Sequence, residues 1–171
     1  MLVKICGIKT LSAAKAATSA GADFLGFNFV PTSKRCISEA TARQIIRVIR
    51  EGVPRKTEDD HGARPTIVGV FQNQPVEFVN GIAQRLDLDY VQLHGDESSE
   101  YCAQMKTPII KALGLDSDFD VEAVEQELRK YKVALYMLDR KGRTGELLNG
   151  EKVAQLVETF PVILAGGLTP E

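Results

Sequence analysis

The 171-residue sequence lacks the signals that mark membrane, secreted and nucleic-acid-binding proteins. It has no run of 18 apolar residues, so no transmembrane helix is predicted. The N-terminus leads directly into Leu2-Val3-Lys4-Ile5, without the layout of a signal peptide. The formal net charge is only -2, which does not favour nucleic acid or a membrane surface as a partner. We therefore expect a cytoplasmic protein that binds neither.

Cysteine and histidine are scarce and carry no metal-binding pattern. The chain has three cysteines, two histidines and no CxxC pair. Scattered cysteines in odd number, without a secretory signal, indicate reduced thiols in the cytosol. The missing ligand spacing argues against a structural zinc site, so we expect no metal centre.

Short apolar runs alternate with helical patterns along the whole chain. The runs are nearly continuous in apolar residues, which is typical of strands buried on both faces. Seven strands are predicted, at Leu2–Cys6, Phe24–Phe29, Thr66–Phe71, Tyr90–His94, Ile109–Leu113, Ala134–Asp139 and Val162–Ala165. Their βαβα order predicts a parallel sheet with right-handed crossovers, either open or closed into a barrel. No GxGxxG follows the first strand, which weakens the open, nucleotide-binding version.

Helical patterns fill the segments between the strands. Small residues predict a helix over Leu11–Ala20, and Ser38 is a candidate N-cap for the next helix. Pro75 fits the first position of the helix after the third strand. Two further helices are predicted from apolar residues at helical spacing, at Val121, Val124 and Leu128 and at Val153, Leu156 and Val157.

Two segments interrupt this alternation. Residues 51–65 are charged and have no apolar period, which predicts a surface loop that holds His61. Thr169-Pro170-Glu171 has the N-cap, proline and acid of a helix start. We therefore expect an eighth strand and its helix to follow, so that residues 1–171 form a single domain truncated at its C-terminus. The unpaired edges of strands one and seven would then expose Leu2, Ile5, Ile163 and Leu164.

Reactive side chains stand where strands end, and ligands of parallel α/β folds bind beyond the carboxyl ends of strands. Cys6, followed by Gly7, offers a thiol that can act as base or nucleophile, or is a small core residue. Asp139 offers an acid, or a cap for a loop. Arg35 can clamp a carboxylate or phosphate through its planar fork, or is a surface charge.

Strands four and seven add further candidates. Gln92 and His94 are predicted to bind substrate, although His94 can instead orient a neighbour. Gly166 and Gly167 can present bare N–H groups to a phosphate, or form an ordinary turn. A thiol and a carboxylic acid on opposite strands, beside a phosphate cradle, favour proton transfer on a phosphorylated sugar.

Several motifs resemble those of the phosphoribosylanthranilate isomerases of tryptophan biosynthesis. They follow in family order over nearly the whole chain, at Val3–Gly7, Ala22–Phe27, Ser33–Arg35, Val68–Pro75, Val91–Glu97, Thr144–Leu148 and Leu164–Glu171. KICG, QLHGDE and LAGGLTPE are the most specific of them. The stretches NQP, QLHGDES and TGELL are most similar to the fungal branch.

The resemblance implies a TIM (β/α)8 barrel that works without a cofactor. The implied reaction is the Amadori rearrangement of N-(5′-phosphoribosyl)anthranilate to 1-(2-carboxyphenylamino)-1-deoxyribulose 5-phosphate. By motif, Cys6 corresponds to the general base and Asp139 to the general acid. Arg35 corresponds to the residue that holds the anthranilate carboxylate. The phosphate site corresponds to Gly145, Gly166 and Gly167.

The sequence departs from the family at three places: two motifs differ, and the segment that carries the last strand of the family is missing. Gly142-Arg143-Thr144-Gly145 replaces the usual Gly-Gly-Thr-Gly, and Asn149-Gly150 replaces an Asp-Trp pair. One alternative is an inactive fragment or degenerate copy, which the missing C-terminal segment favours and intact Cys6 and Asp139 disfavour. Another is a different phosphosugar-binding barrel enzyme, which would want a metal-binding set or a Lys-rich rim. The protein is predicted to be a monomer or part of a multifunctional tryptophan-pathway chain.

Overall fold

The computed structural model describes residues 2–52, 64–142 and 147–166. Strands and helices alternate throughout these residues. The strands are β1 (Lys4–Cys6), β2 (Phe24–Asn28), β3 (Thr66–Phe71), β4 (Tyr90–Leu93), β5 (Ile109–Leu115), β6 (Leu135–Arg140) and β7 (Val162–Ala165). The helices are α1 (Leu11–Ser19), α2 (Glu39–Gly52), α3 (Val76–Leu86), α4 (Ser99–Cys102), α5 (Val121–Leu128) and α6 (Gly150–Thr159). All seven predicted strands are confirmed, with ends that shift by one or two residues.

The strands form one parallel sheet in the order β1 to β7, each hydrogen-bonded to the next in sequence. This is the order of a barrel wall, and the sheet is a half-barrel. Because all strands run the same way, their carboxyl ends meet at one rim. At that rim Cys6 is in register with Gly26, and Asp139 with Gly114 and Ala165.

Apolar side chains pack on both faces of the sheet. On the concave side, alternate residues of neighbouring strands form a small cluster of Val68, Ile110, Ala112 and Met137. On the convex side, the opposite set of strand residues packs against the helices, with Leu25, Ile67 and Leu93 fully buried. The predicted burial on both faces is therefore confirmed, and the period of two decides which side chains face the concave side.

The N-termini of the helices are set by capping residues. Ser38 caps α2 as predicted, because its Oγ accepts a hydrogen bond from Thr41 N at 3.2 Å. Pro75 is the N-cap of α3 and not its first residue, since its ψ of 145° is still extended. The short helix α4 was not predicted, because four residues carry no helical period; Ser98 caps it through Tyr101 N.

The predicted loop over residues 51–65 begins two residues too early, since α2 continues to Gly52. Residues 53–63, which include His61, lie outside the described residues. The outer strands expose apolar side chains as predicted, with Leu2 71%, Ile5 41% and Leu164 43% accessible. Ile163 differs, because it is half-buried against the concave cluster. None of the helices in the described part of the chain is long and apolar enough to cross a membrane.

Candidate active site

Polar side chains gather on the concave side at the carboxyl rim. Gln92 shares a strand face with Tyr90, which packs against the concave cluster. Asp139 shares a strand face with Met137, which belongs to that cluster. His94 follows Gln92 at a spacing of two. The sheet therefore directs Gln92, His94 and Asp139 towards one space, as the strand-end argument predicts.

Cys6 lies at this rim beside a glycine that makes room for it. A Cβ atom at Gly26 would stand 2.9 Å from Cys6 Sγ and 3.1 Å from Lys4 Nζ. Both distances are too short for ordinary packing, so only glycine leaves the space that the thiol and the ammonium group occupy. Lys4 was missed in the sequence, although it shares a strand face with Cys6 at a spacing of two.

Arg35 borders Cys6 through the glycine that follows the thiol. Gly7 has a φ of +84°, and a Cβ atom there would lie 2.5 Å from Arg35 Cδ. The aliphatic stem of Arg35 therefore covers Gly7, while the residue as a whole stays exposed. Within residues 2–52, 64–142 and 147–166 its guanidinium group forms no ion pair, so the fork is open to an anion.

Asp139 is held from two sides. His94 Nε2 lies 3.1 Å from Asp139 Oδ2. On the other side, a Cβ atom at Gly166 would stand 2.7 Å from Asp139 Oδ1, and Gly166 has a φ of +81°. The turn after β7 thus needs a glycine both for its backbone conformation and for its approach to the carboxyl group.

His94 is in turn held by Gln92. The amide nitrogen of Gln92 lies 2.8 Å from His94 Nδ1. The backbone N–H of His94 donates to the carbonyl of Phe71 at 2.9 Å. Gln92 is only 2% exposed, so its side chain lies behind the histidine ring and not at the open surface of the site.

A buried ion pair supports the loop that carries His94. Lys111 Nζ lies 2.9 Å from Glu97 Oε2, with side chains that are 3% and 1% exposed. Lys111 also donates to the Gly95 carbonyl at 2.6 Å. The Glu97 carboxylate accepts two backbone hydrogen bonds, from Asn73 N at 2.8 Å and Gly95 N at 2.9 Å. The pair therefore ties the loops after β3 and β4 to β5.

This pair was also missed in the sequence. A lysine inside the apolar run of β5 was its only signal, because a charge in a doubly buried strand needs a partner.

Gly145 and Gly167, predicted to bind phosphate, lie outside the described residues. Of the predicted phosphate-binding glycines, Gly166 is described, and it adjoins Asp139.

The three cysteines are free and differ in their surroundings. Cys6 and Cys36 are half-buried, whereas Cys102 is buried in the convex layer. Burial raises the pKa of the Cys102 thiol, which disfavours a reactive thiolate there. In the described part of the chain, no group of three or more His, Cys, Asp or Glu side chains could hold a metal ion.

Comparison with known proteins identifies the family. The family described as N-(5'phosphoribosyl)anthranilate (PRA) isomerase matches residues 3–171. The chain is 40% identical over 174 residues to the N-(5'-phosphoribosyl)anthranilate isomerase of Geotalea daltonii, covering 99% of this chain and 76% of that one. The chain belongs to the phosphoribosylanthranilate isomerase family. The predicted family and fold class are thereby confirmed.

Solved structures agree with the sequence comparison. Phosphoribosyl anthranilate isomerase from Thermus thermophilus superposes with a TM-score of 0.80 at 34% identity, covering 99% of this chain and 78% of that one. A second such isomerase, solved with reduced 1-(o-carboxyphenylamino)-1-deoxyribulose 5-phosphate, gives a TM-score of 0.64 at 27% identity and covers 100% and 90%. A multifunctional tryptophan biosynthesis protein of Phycomyces blakesleeanus is 34% identical over 208 residues, covering 98% of this chain and 27% of that protein.

Proposed function

We propose that this isomerase converts N-(5′-phosphoribosyl)anthranilate to 1-(2-carboxyphenylamino)-1-deoxyribulose 5-phosphate in tryptophan biosynthesis. Family membership over the whole chain supports the reaction. The observation that carries the residue roles is that a thiol, Cys6, and a carboxyl group, Asp139, stand at the same rim of the half-barrel. The reaction needs one acid and one base, because a ring must open and a carbon must lose a proton.

Asp139 acts as the general acid in the first step. Its proton goes to the furanose ring oxygen, the bond from that oxygen to C1′ breaks, and the nitrogen lone pair forms an iminium group. Cys6, as a thiolate, then removes the proton from C2′. The electron pair of that C–H bond forms a double bond between C1′ and C2′, and the π pair of the iminium group returns to nitrogen. The resulting enol takes up a proton at C1′ and loses its O–H proton, which gives the ketone without any net oxidation.

Arg35 holds the anthranilate carboxylate through a charged, planar hydrogen-bonded pair. Its aliphatic stem covers Gly7, the residue that follows Cys6. Gly145, Gly166 and Gly167 form the phosphate site with bare backbone N–H groups. We further propose that residues 1–171 belong to one catalytic domain that acts in the cytoplasm, as a monomer or within a multifunctional chain. The three free thiols fit a reducing compartment.

The roles of Cys6 and Asp139 are tested by Cys6→Ser and Asp139→Asn in the purified protein. Loss of an acid or base costs about 10²–10⁴-fold in kcat, with little change in substrate binding. Substrate and product have the same mass, so turnover is followed by chromatographic separation. Matched controls are Cys36→Ser, another half-buried free thiol, and Asp118→Asn, an exposed carboxylate paired with Lys152. Near-normal turnover in either test variant would remove that residue from the mechanism.

A further inference from the structure

Gln92 is an unusual residue for the inside of a barrel wall. It is in register with Val70 and Ile110, both buried, and is itself 2% exposed. Its amide nitrogen contacts His94, but its Oε1 is buried and, within the described residues, has no hydrogen-bond partner. A buried, half-satisfied amide costs stability that an apolar side chain of similar size would not. Packing alone therefore does not account for it.

The contacts of the histidine ring fix where its proton lies. A neutral imidazole carries one N–H, on either Nδ1 or Nε2. His94 Nε2 faces Asp139 Oδ2, which accepts when Asp139 is ionised and also when the carboxyl proton is on Oδ1. In both of these states the proton of the neutral ring is on Nε2. Nδ1 must then accept, and the nearby Gln92 amide nitrogen is the donor that satisfies it.

We propose that Gln92 and His94 are positioning residues that hold Asp139 Oδ2 and direct its acidic proton to Oδ1. This inference rests on the proposed role of Asp139 as general acid. With Oδ2 accepting from His94, the proton to be transferred is on Oδ1, the oxygen beside Gly166. When that proton passes to the ring oxygen, the carboxylate that remains still accepts the His94 N–H. A charge-assisted hydrogen bond of this kind stabilises the new negative charge.

The tautomer of His94 is the first readout. The chain contains only two histidines, His61 and His94, so a His61→Gln background leaves one ring to observe by ¹⁵N NMR. Without substrate, this parent should show a single tautomer protonated on Nε2. Gln92→Met, which has no donor, should give mixed tautomers. Gln92→Glu, whose carboxylate only accepts, should put a proton on Nδ1 as well, because Asp139 still accepts from Nε2, and the spectrum should then show the doubly protonated ring. An unchanged spectrum in both variants overturns the proposal.

Kinetics and stability together are the second readout. Gln92→Met should lower kcat by up to about 10²-fold, the cost of a misplaced catalytic group, while KM stays unchanged. Its melting temperature should equal or exceed that of the parent, because the unpartnered oxygen is gone. A higher KM at unchanged kcat would make Gln92 a substrate-binding residue, as the sequence predicts. A fall in kcat matched by a lower melting temperature would reduce it to a packing role. Either result overturns the proposal.

The Asp139→Asn variant distinguishes failure of this inference from failure of the proposed role of Asp139 as general acid. If that variant keeps its turnover, Asp139 is not the acid and the proposed function fails at that residue. The NMR result then still reports whether Gln92 fixes the His94 ring. If Asp139→Asn is inactive but Gln92→Met keeps a normal kcat, the acid is correct and the positioning role is wrong.

Discussion

Replacing Lys111 by Met removes the cation of a buried ion pair and keeps most of the volume of the side chain. The substitution removes the contacts of the Lys111 ammonium group to Glu97 and to the Gly95 carbonyl. The Met side chain fills the space that the lysine stem occupied. Glu97 is then left 1% exposed with two backbone N–H donors and no cation. The cost is therefore electrostatic and not a cavity.

Breaking a buried pair from one side costs about 3–5 kcal/mol, because the remaining charge cannot return to water. The two N–H donors that stay on Glu97 stabilise its charge, so we expect a value near the lower limit, about 3 kcal/mol. For a chain of this length, each kcal/mol shifts the melting temperature by about 2–4 °C. Lys111→Met should therefore melt about 6–12 °C below the parent protein.

The assay is thermal and urea unfolding of Lys111→Met beside a matched control. Arg85→Met breaks an ion pair of similar length, Arg85–Glu39 at 2.8 Å, on an exposed face. Water screens that pair, so the control should shift stability far less. Combining Lys111→Met with Glu97→Leu removes both charges and should recover part of the loss. A Lys111→Met protein no less stable than the control would refute the reasoning.

Three further predictions concern the site. Gly26→Ala should lower kcat and stability together, because the new Cβ would lie 2.9 Å from Cys6 Sγ and 3.2 Å from Cys6 Cα; normal turnover would contradict this. Arg35→Ala should raise KM about 10- to 100-fold by losing a charged hydrogen bond of about 1.5–3 kcal/mol, and an unchanged KM would make it a surface charge. Burial raises the pKa of Cys102, so near pH 8 its thiolate is rarer than that of an ordinary thiol. Mass spectrometry after brief alkylation should find Cys102 modified last; equal rates for all three cysteines would contradict this.

The sequence could predict the elements that are governed by local periodicity. Strands buried on both faces are continuous apolar runs, and all seven were found on that basis. The strand ends do not follow from periodicity alone, because pairing with a neighbouring strand extends them. Strand β5 continues to Leu115 only because Gly114 and Leu115 pair with Asp139 and Arg140. Helix α4 was missed because its four residues have no period and depend on the Ser98 cap.

The candidate site could be predicted in position but not in its contacts. A period of two and a common rim suffice to bring His94 and Asp139 together. Which atoms meet depends on ring orientation and strand curvature, which no local pattern encodes. Lys111 lies on the opposite strand face from Ile110 and Ala112, towards the helices, where it finds Glu97. That partner is 14 residues away and is fixed only by the fold.

The Glu97–Lys111 pair and Gln92 are both buried beside the site, but they differ in whether all of their polar atoms have partners. Glu97 and Lys111 satisfy one another and the backbone groups around them, as a stabilising cluster must. Gln92 satisfies only His94 and leaves one oxygen unpartnered, a cost that stability alone would not retain. We therefore expect opposite phenotypes. Lys111→Met should lose stability while its folded fraction keeps most of its kcat, because the His94 backbone is still held by Phe71. Gln92→Met should keep stability and lose kcat, and if both variants lost the two properties in parallel, the distinction between these groups would be wrong.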